Sequence, residues 1–262
     1  MSSRTKGFRP GALLLAIAAA AAVLASGAGG AAAAAQIEGH WTAEAGTAAG
    51  SVHFTVSRTS GHGQSMNSSD VAASTLQGLD PGANGVVRFR MTREAGTFEC
   101  EGWMKGGRGA GNLVFQPNAA FAQQLRQRGY AAPDDEDMFR YATADLTLAF
   151  VDEMRSLGFE REEIEQIRRM KTHGVTGRFV TEIRALGYTP EAEEIVRLVN
   201  HDVTPEFVRE VRALGFTPDL GEVVRMKNHD VTPEYIKKLR ARGFEKITIG
   251  EAIRLKNHGL ED

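Results

Sequence analysis

The sequence predicts an α+β protein, a small antiparallel β domain followed by an α-solenoid of about five helix-pair repeats of 28–29 residues. Two observations carry that fold class. Between 146 and 258 the same text returns four times, clearest in VTPEFVREVRALGFTPDLGEVVRMKNHD at 203–230. Between 36 and 117 apolar and polar residues instead alternate with a period of two. A third observation, a basic start followed by an apolar run, divides off the beginning of the chain. The expected organisation is therefore 1–35 as signal peptide and small-residue linker, 36–117 as the β domain and 118–262 as the helical solenoid.

In the first segment Arg4, Lys6 and Arg9 precede an apolar run over 11–25, and Ala33-Ala34-Ala35 offers a cleavable small-residue site before Gln36. That order is the signature of a secretory signal peptide. The run falls short of the ~20 apolar residues that span a bilayer. The expectation is a periplasmic or secreted protein with no stable membrane insertion after cleavage, and an uncleaved N-terminal anchor is the alternative. Cys100 is the sole cysteine, so no intrachain disulfide can form. It is expected to pack on a strand.

Strands are expected where Val52, Phe54 and Val56 alternate with polar residues, and again at Val87, Phe89 and Met91, at Phe98, Cys100 and Gly102, and at Leu113 and Phe115. Residues 80–85 (DPGANG) form a loop, and Glu94-Ala95-Gly96 a hairpin turn. Trp41 and Trp103 are expected to cover one sheet face, in a sheet or partly closed barrel of about five or six strands. The Gly106–Gly111 run lacks the Lys-Ser/Thr pair and the following helix of a phosphate loop, and is expected to be a strand-connecting turn.

Each repeat is expected to be two short helices. In the third, Thr204 caps the first helix and Pro205 takes the position where a missing N–H costs nothing. Phe207, Val208, Val211 and Leu214 make one apolar stripe, Gly215 ends the helix in the left-handed conformation, and Phe216 folds back on that cap. Thr217, Pro218 and Asp219 open the second helix, whose apolar side is Leu220, Val223, Val224 and Met226. A divergent copy lies upstream, where Phe121, Gly129 and Tyr130 precede Phe150, Gly158 and Phe159 by 29 residues. Divergence suits the end unit of a repeat array.

Three sets of recurring polar residues invite a functional reading. His173, His201, His229 and His258 end the second helices, where an imidazole complements the helix dipole. A shared metal is not expected, because equivalent atoms of stacked repeats lie about 8–10 Å apart, and no cofactor is expected either. Arg155, Arg184, Arg212 and Arg240, preceded by Arg126, stand three residues before each glycine, and Arg169, Arg197, Arg225 and Arg254 four before each histidine. Either they are a solvated face neutralised by acids such as Glu153, Glu182 and Glu210, or Arg155, Arg184, Arg212 and Arg240 form a concave guanidinium surface for acidic groups of a partner. Neither H-E-x-x-H nor G-x-S-x-G occurs, and His40, His53 and His62 have no metal-ligand spacing. The chain's net charge of −2 becomes −5 once Arg4, Lys6 and Arg9 are removed, which argues against nucleic-acid partners.

The V-T-P-E units, the R-A-x-G-[FY] helix ends, the segment GTFECEG at 96–102 and the pattern Phe115, Pro117, Asn118, Phe121 together resemble exported repeat regions of environmental bacteria. Some of those stand alone, and some follow membrane-bound zinc metallopeptidases of the penicillin-sensing receptor type. The resemblance spans 36–262 and implies an extracytoplasmic recognition or sensing accessory. Without the peptidase's zinc helix it implies no peptidase activity. The expected function is thus non-enzymatic binding of a protein or peptide through a charged solenoid face. The alternative is a hydrolase or carbohydrate-acting enzyme with a site at the junction of the two parts, near Asp134, Asp135, Glu136 and Asp137.

Overall fold

The structure, a computed structural model, describes residues 37–60 and 63–259. The expected signal peptide, its cleavage site and His62 lie outside the described residues. The fold is α+β: a curled antiparallel sheet of seven strands, then ten helices.

The strands are β1 (Ile37–Ala45), β2 (Ser51–Ser60), β3 (Gly63–Ala72), β4 (Leu76–Gln77), β5 (Gly85–Arg93), β6 (Gly96–Lys105) and β7 (Arg108–Pro117). Their order in the sheet is β3-β2-β1-β7-β6-β5-β4, so the first strand is central and pairs with the last. Phe54 of β2 and Phe89 of β5 are four strand steps apart, which in a flat sheet means ~19 Å at ~4.8 Å per step. Their ring centroids are 5.9 Å apart. The sheet therefore curls over its own inner face. Trp41, 1% exposed, fills the hollow, edge-on to Phe89 at 4.9 Å and stacked on Phe54 at 6.3 Å. Gly102 and Gly111 face each other across β6 and β7. A Cβ on Gly102 would stand 2.7 Å from the Trp41 ring, and one on Gly111 would run into the Glu101 carbonyl. That same carbonyl accepts a 3.1 Å bond from Trp41 Nε1, so bare backbone is what lets the strands close over the indole.

Two expectations about the sheet need correction. Among the described residues there are seven strands, because β1, the polar edge strand β3 and the two-residue β4 join the four that the alternation marks. Trp103 is 56% exposed, since Phe98, Cys100 and Met104 point inward and a period of two sends residue 103 outward. The glycine run is a strand connection as expected: Gly106 and Gly107 turn the β6–β7 hairpin with φ of 58° and 77°.

The helices are α1 (Ala119–Gln127), α2 (Asp135–Thr143), α3 (Leu148–Met154), α4 (Ile164–Thr172), α5 (Gly177–Ala185), α6 (Ala192–Asn200), α7 (Pro205–Ala213), α8 (Leu220–Asn228), α9 (Pro233–Ala241) and α10 (Ile249–Asn257). Thr147, Thr176, Thr204 and Thr232 cap α3, α5, α7 and α9, each hydroxyl oxygen accepting the backbone N–H of Phe150, Phe179, Phe207 or Tyr235 at 3.1–3.2 Å. The even-numbered helices start differently. Asp134, Glu191, Asp219 and Thr248 exchange reciprocal cap bonds with Asp137, Glu194, Glu222 and Glu251. Thr217 and Pro218 thus precede the cap of α8 instead of forming it.

Helix α2 lies on β1, β6 and β7, with Phe139 edge-on to Phe98 at 5.6 Å and to Phe115 at 5.4 Å. The β5–β6 turn also reaches the helices. The Glu94 carboxylate accepts the N–H of Leu148 at 2.8 Å, and Arg93 pairs with Asp145 at 3.1 Å. One apolar core consequently runs without a break from Ile37 to Val224. Beyond α2, α3 packs on α4, and the remaining packing is mostly odd on odd and even on even: α1 on α3, α5 on the turn that ends α3, then α7 and α9 in succession, and α4, α6, α8 and α10 likewise.

Candidate functional site: the arginine and aromatic row between helix pairs

The four arginines singled out above occupy one recurring environment. The Arg155 guanidinium lies over the Tyr130 ring at 5.5 Å, Arg184 over Phe159 at 5.0 Å, Arg212 over Tyr188 at 4.5 Å and Arg240 over Phe216 at 5.2 Å. Arg184, Arg212 and Arg240 come from α5, α7 and α9 and Arg155 directly follows α3, while each ring is the residue after the glycine that ends the previous odd-numbered helix. The local sequence explains the placement. Gly129, Gly158, Gly187 and Gly215 take φ of 86–90°, which turns the next residue back over the helix end. Backbone carbonyls at that turn complete the seat: Arg155 Nη1 donates to the Arg128 carbonyl at 2.7 Å, and Arg212 Nη1 to the Leu186 carbonyl.

All four guanidinium-bearing residues are half-buried, and Nε of Arg184, Arg212 and Arg240 is buried without a hydrogen-bond partner among the described residues. An unpaired buried N–H costs free energy, and the electron-rich ring face beneath it offsets part of that cost. The expected neutralising acids are elsewhere. Glu182 pairs with Arg178 at 2.6 Å and Arg209 at 3.4 Å, and Glu153 lies against Gly177. The geometry is that of a joint between successive odd-numbered helices, in which the cation's partner is a ring rather than a carboxylate.

Lysines make a second row of ring contacts. Lys171 lies over Phe150 at 5.3 Å, Lys227 over Phe207 at 5.4 Å and Lys256 over Tyr235 at 4.8 Å. The histidines beside them stand at the helix C-caps, where their backbone N–H groups bond back into the last turn. Among their side chains, His229 Nδ1 meets Asn257 Oδ1 of the next pair at 2.9 Å. The left-handed residue that ends each of these helices was not legible: Asp145, Asp202 and Asp230 take φ of 50–52° where Gly174 and Gly259 stand in the other copies. Short polar side chains tolerate that conformation. Val203 and Val231 then donate to the carbonyls of Leu198 and Met226 at 3.0 and 2.9 Å, closing the helix end.

Open clefts recur where an odd-numbered helix turns into an even one. One of 450 Å³ is lined by Tyr130, Ala132, Asp137, Glu160 and Glu162, and one of 480 Å³ by Tyr188, Thr189, Glu194 and Asp219. A third, of 600 Å³, is lined by Phe244, Lys246, Ile247, Glu251 and Leu255. Each combines an aromatic ring with carboxylates at the start of an even-numbered helix.

The acids of the enzyme alternative have structural partners. Asp134 and Asp137 cap α2 reciprocally, Asp137 also pairs with Arg140, and Glu136 pairs with Arg58 of β2. On the outer sheet face His53 and Asp70, unrelated by spacing, are brought together by the β2–β3 register with Nδ1 2.8 Å from Oδ1. Bonds from Thr47, through hydroxyl and backbone, and from His53 hold the Asp70 carboxyl down at about 2. Burial pushes the Cys100 thiol up to about 12, with Glu99 adding to it, so this side chain is a packing group. Among the described residues no cluster of three or more His, Cys, Asp and Glu is placed to hold a metal, and no helix is long and apolar enough to cross a membrane. No protein family, curated sequence or solved structure matches the chain.

Proposed function

We propose that this chain is an exported binding module: an α-solenoid of five helix pairs, anchored at one end on the curled sheet, which holds a protein or peptide segment along its row of clefts. The observation that carries the reading is the recurrence of one cleft type, at Tyr130, Tyr188 and Phe244, on equivalent positions of the array. Repeated equivalent surfaces on one side of a stacked array are what an extended partner engages. Glu194 and Asp219 rim the Tyr188 cleft with no cation among its described lining residues and favour a Lys or Arg of the partner there, whereas the acids of the other two clefts are interleaved with Arg128, Arg140, Arg155 and Arg161 and with Lys246 and Arg254. The arginines Arg155, Arg184, Arg212 and Arg240 serve this function indirectly, by fixing the spacing between one cleft and the next. The hydrolase alternative has less support, since Asp134, Glu136 and Asp137 are occupied in caps and ion pairs.

Site-specific photo-crosslinking in the producing cells tests the reading. With a benzophenone side chain at Ala132, Thr189 or Lys246, the same basic partner should be trapped at all three positions, and not from Asn200 or Asn228 at the opposite ends of the even-numbered helices. Adducts confined to the sheet, or to positions 200 and 228, would overturn it. The exported chain should begin near Gln36, and a mature soluble species that retains Met1 in the cytoplasm would contradict export.

A further inference from the structure

Among the described residues, one ring in the row has no arginine over it. Phe244 follows Gly243 as Tyr130 follows Gly129: Gly243 has φ of 100°, and the Phe244 N–H donates to the Leu239 carbonyl at 3.1 Å, as that of Tyr130 does to Leu125 at 3.2 Å. Yet Phe244 is 42% exposed, whereas Phe159, beneath Arg184, is 2% exposed. Beside it opens the 600 Å³ cleft with an apolar wall of Ile247 and Leu255 and the carboxylates of Glu245 and Glu251.

We propose that this end of the array is a docking site for an amphipathic helix of a partner protein, one that carries an arginine on its apolar face and lays it over Phe244. The inference deepens the binding-module reading and rests on its solenoid of helix pairs. The chemistry of the occupant comes from within the chain, since the same ring position is covered by a guanidinium in four successive instances, at 4.5–5.5 Å. In each of them the arginine arrives on a helix whose neighbouring residues are buried, as Val208 and Val211 are beside Arg212. A helix satisfies both halves of the site, the ring with its cation and the apolar wall with the flanking side chains. Glu245 and Glu251 share the cleft with Lys246 and Arg254, so its charges balance and the ring and apolar wall carry the recognition.

A second copy of the chain is the obvious competitor, because Arg126 holds the equivalent position in α1 and is exposed. The other half of that first pair is already covered, however. Helix α2 packs against β1, β6 and β7, so the sheet stands where the next even-numbered helix would have to stack. The occupant is accordingly a helix from a different chain.

The probe is a blocked, fluorescent peptide copying residues 203–216 (VTPEFVREVRALGF), which contains the internal arginine Arg212. It is titrated into the full chain and read by anisotropy. The expected result is saturable binding, weakened at least about tenfold by Phe244→Ala in the protein or by Arg212→Ala in the peptide, each loss of about 1.4 kcal/mol or more. Trp103→Ala, which removes an exposed ring on the far face of the sheet, should leave binding unchanged. Absence of binding overturns the proposal, and so does binding indifferent to Phe244 or to the peptide's arginine. Concentration-dependent self-association in sedimentation, lost with either Phe244→Ala or Arg126→Ala, would assign the site to a second copy and overturn it too. Crosslinking at Ala132 and Thr189 judges the cleft row independently, so either conclusion can fail while the other stands.

Discussion

At the scale of single residues, a cation seated on a ring and a carboxylate held by hydroxyls behave differently from their free counterparts. Arg212 has its Cζ 4.5 Å from the centroid of the Tyr188 ring and a hydrogen bond to the Leu186 carbonyl, so part of its water has been replaced by protein. Nothing in the residue types alone announces that partner. An arginine three residues before a glycine reads equally well as solvated, and the ring it meets is more than twenty residues earlier. The His53–Asp70 contact was hidden for a similar reason, since β3 has too polar a pattern to be recognised and its register with β2 could not be drawn. Asp70 allows a direct check. Its carboxyl lies at about 2 because Thr47 and then His53 stabilise the charged form. A lowered folded value means that the stabilising contribution is fully present above the ordinary value of 3.8 and is lost as pH falls through about 2. Carbon-detected NMR titration should show the Asp70 midpoint near 2 in the wild type and moved up toward 3.8 in Thr47→Val. An ordinary midpoint in both proteins would remove the proposed hydrogen bonds.

At the scale of elements, what was legible is what local chemistry dictates. Thr204 with Pro205 and Thr232 with Pro233 start α7 and α9 where the cap signals place them, and Gly215 stops the first of these helices with φ of 87°. Signals that depend on neighbours were not legible. The strand β1 needed the sheet around it to show that Ile37, Trp41 and Ala43 share a buried face, and β3 is an edge with little to bury. At Asp202 and Asp230 no residue type in the sequence marks the left-handed helix end that the structure shows. Two glycines separate conformational from steric cost. Nothing stands within 4 Å of a Cβ built on either Gly215 or Gly250, yet Gly215 has positive φ while Gly250 lies inside α10. Gly215→Val should therefore cost about 1 kcal/mol or more from backbone strain alone. Gly250→Ala should instead stabilise by about 0.5–1 kcal/mol, because alanine restricts the unfolded chain and favours the helix. Urea melts of the two variants should shift in opposite directions, and shifts of the same sign would mean that these two backbones are not as described.

At the scale of the whole molecule, the sheet and the helices are one body. Phe98 and Phe115 of the sheet close on Phe139 of α2, and the core they begin continues to Val224. The repeated text foretold helices after a β region but not this continuity, because a repeat describes how a unit meets its own copies and says nothing of what meets the first one. The central claim is that Arg184, Arg212 and Arg240 join successive odd-numbered helices through the rings of Phe159, Tyr188 and Phe216. Each cation–ring contact of this kind contributes about 0.5–2 kcal/mol. Reversing all three to Glu removes those contacts and sets carboxylates against the negative faces of the rings. The most direct measurement is a urea melt followed by circular dichroism, comparing the wild type with the triple variant Arg184→Glu, Arg212→Glu, Arg240→Glu. The account predicts a midpoint lowered by the equivalent of several kcal/mol, or helix content already lost without denaturant. A triple variant that melts at the wild-type midpoint with full helix content would contradict it, and would leave these arginines as solvated surface.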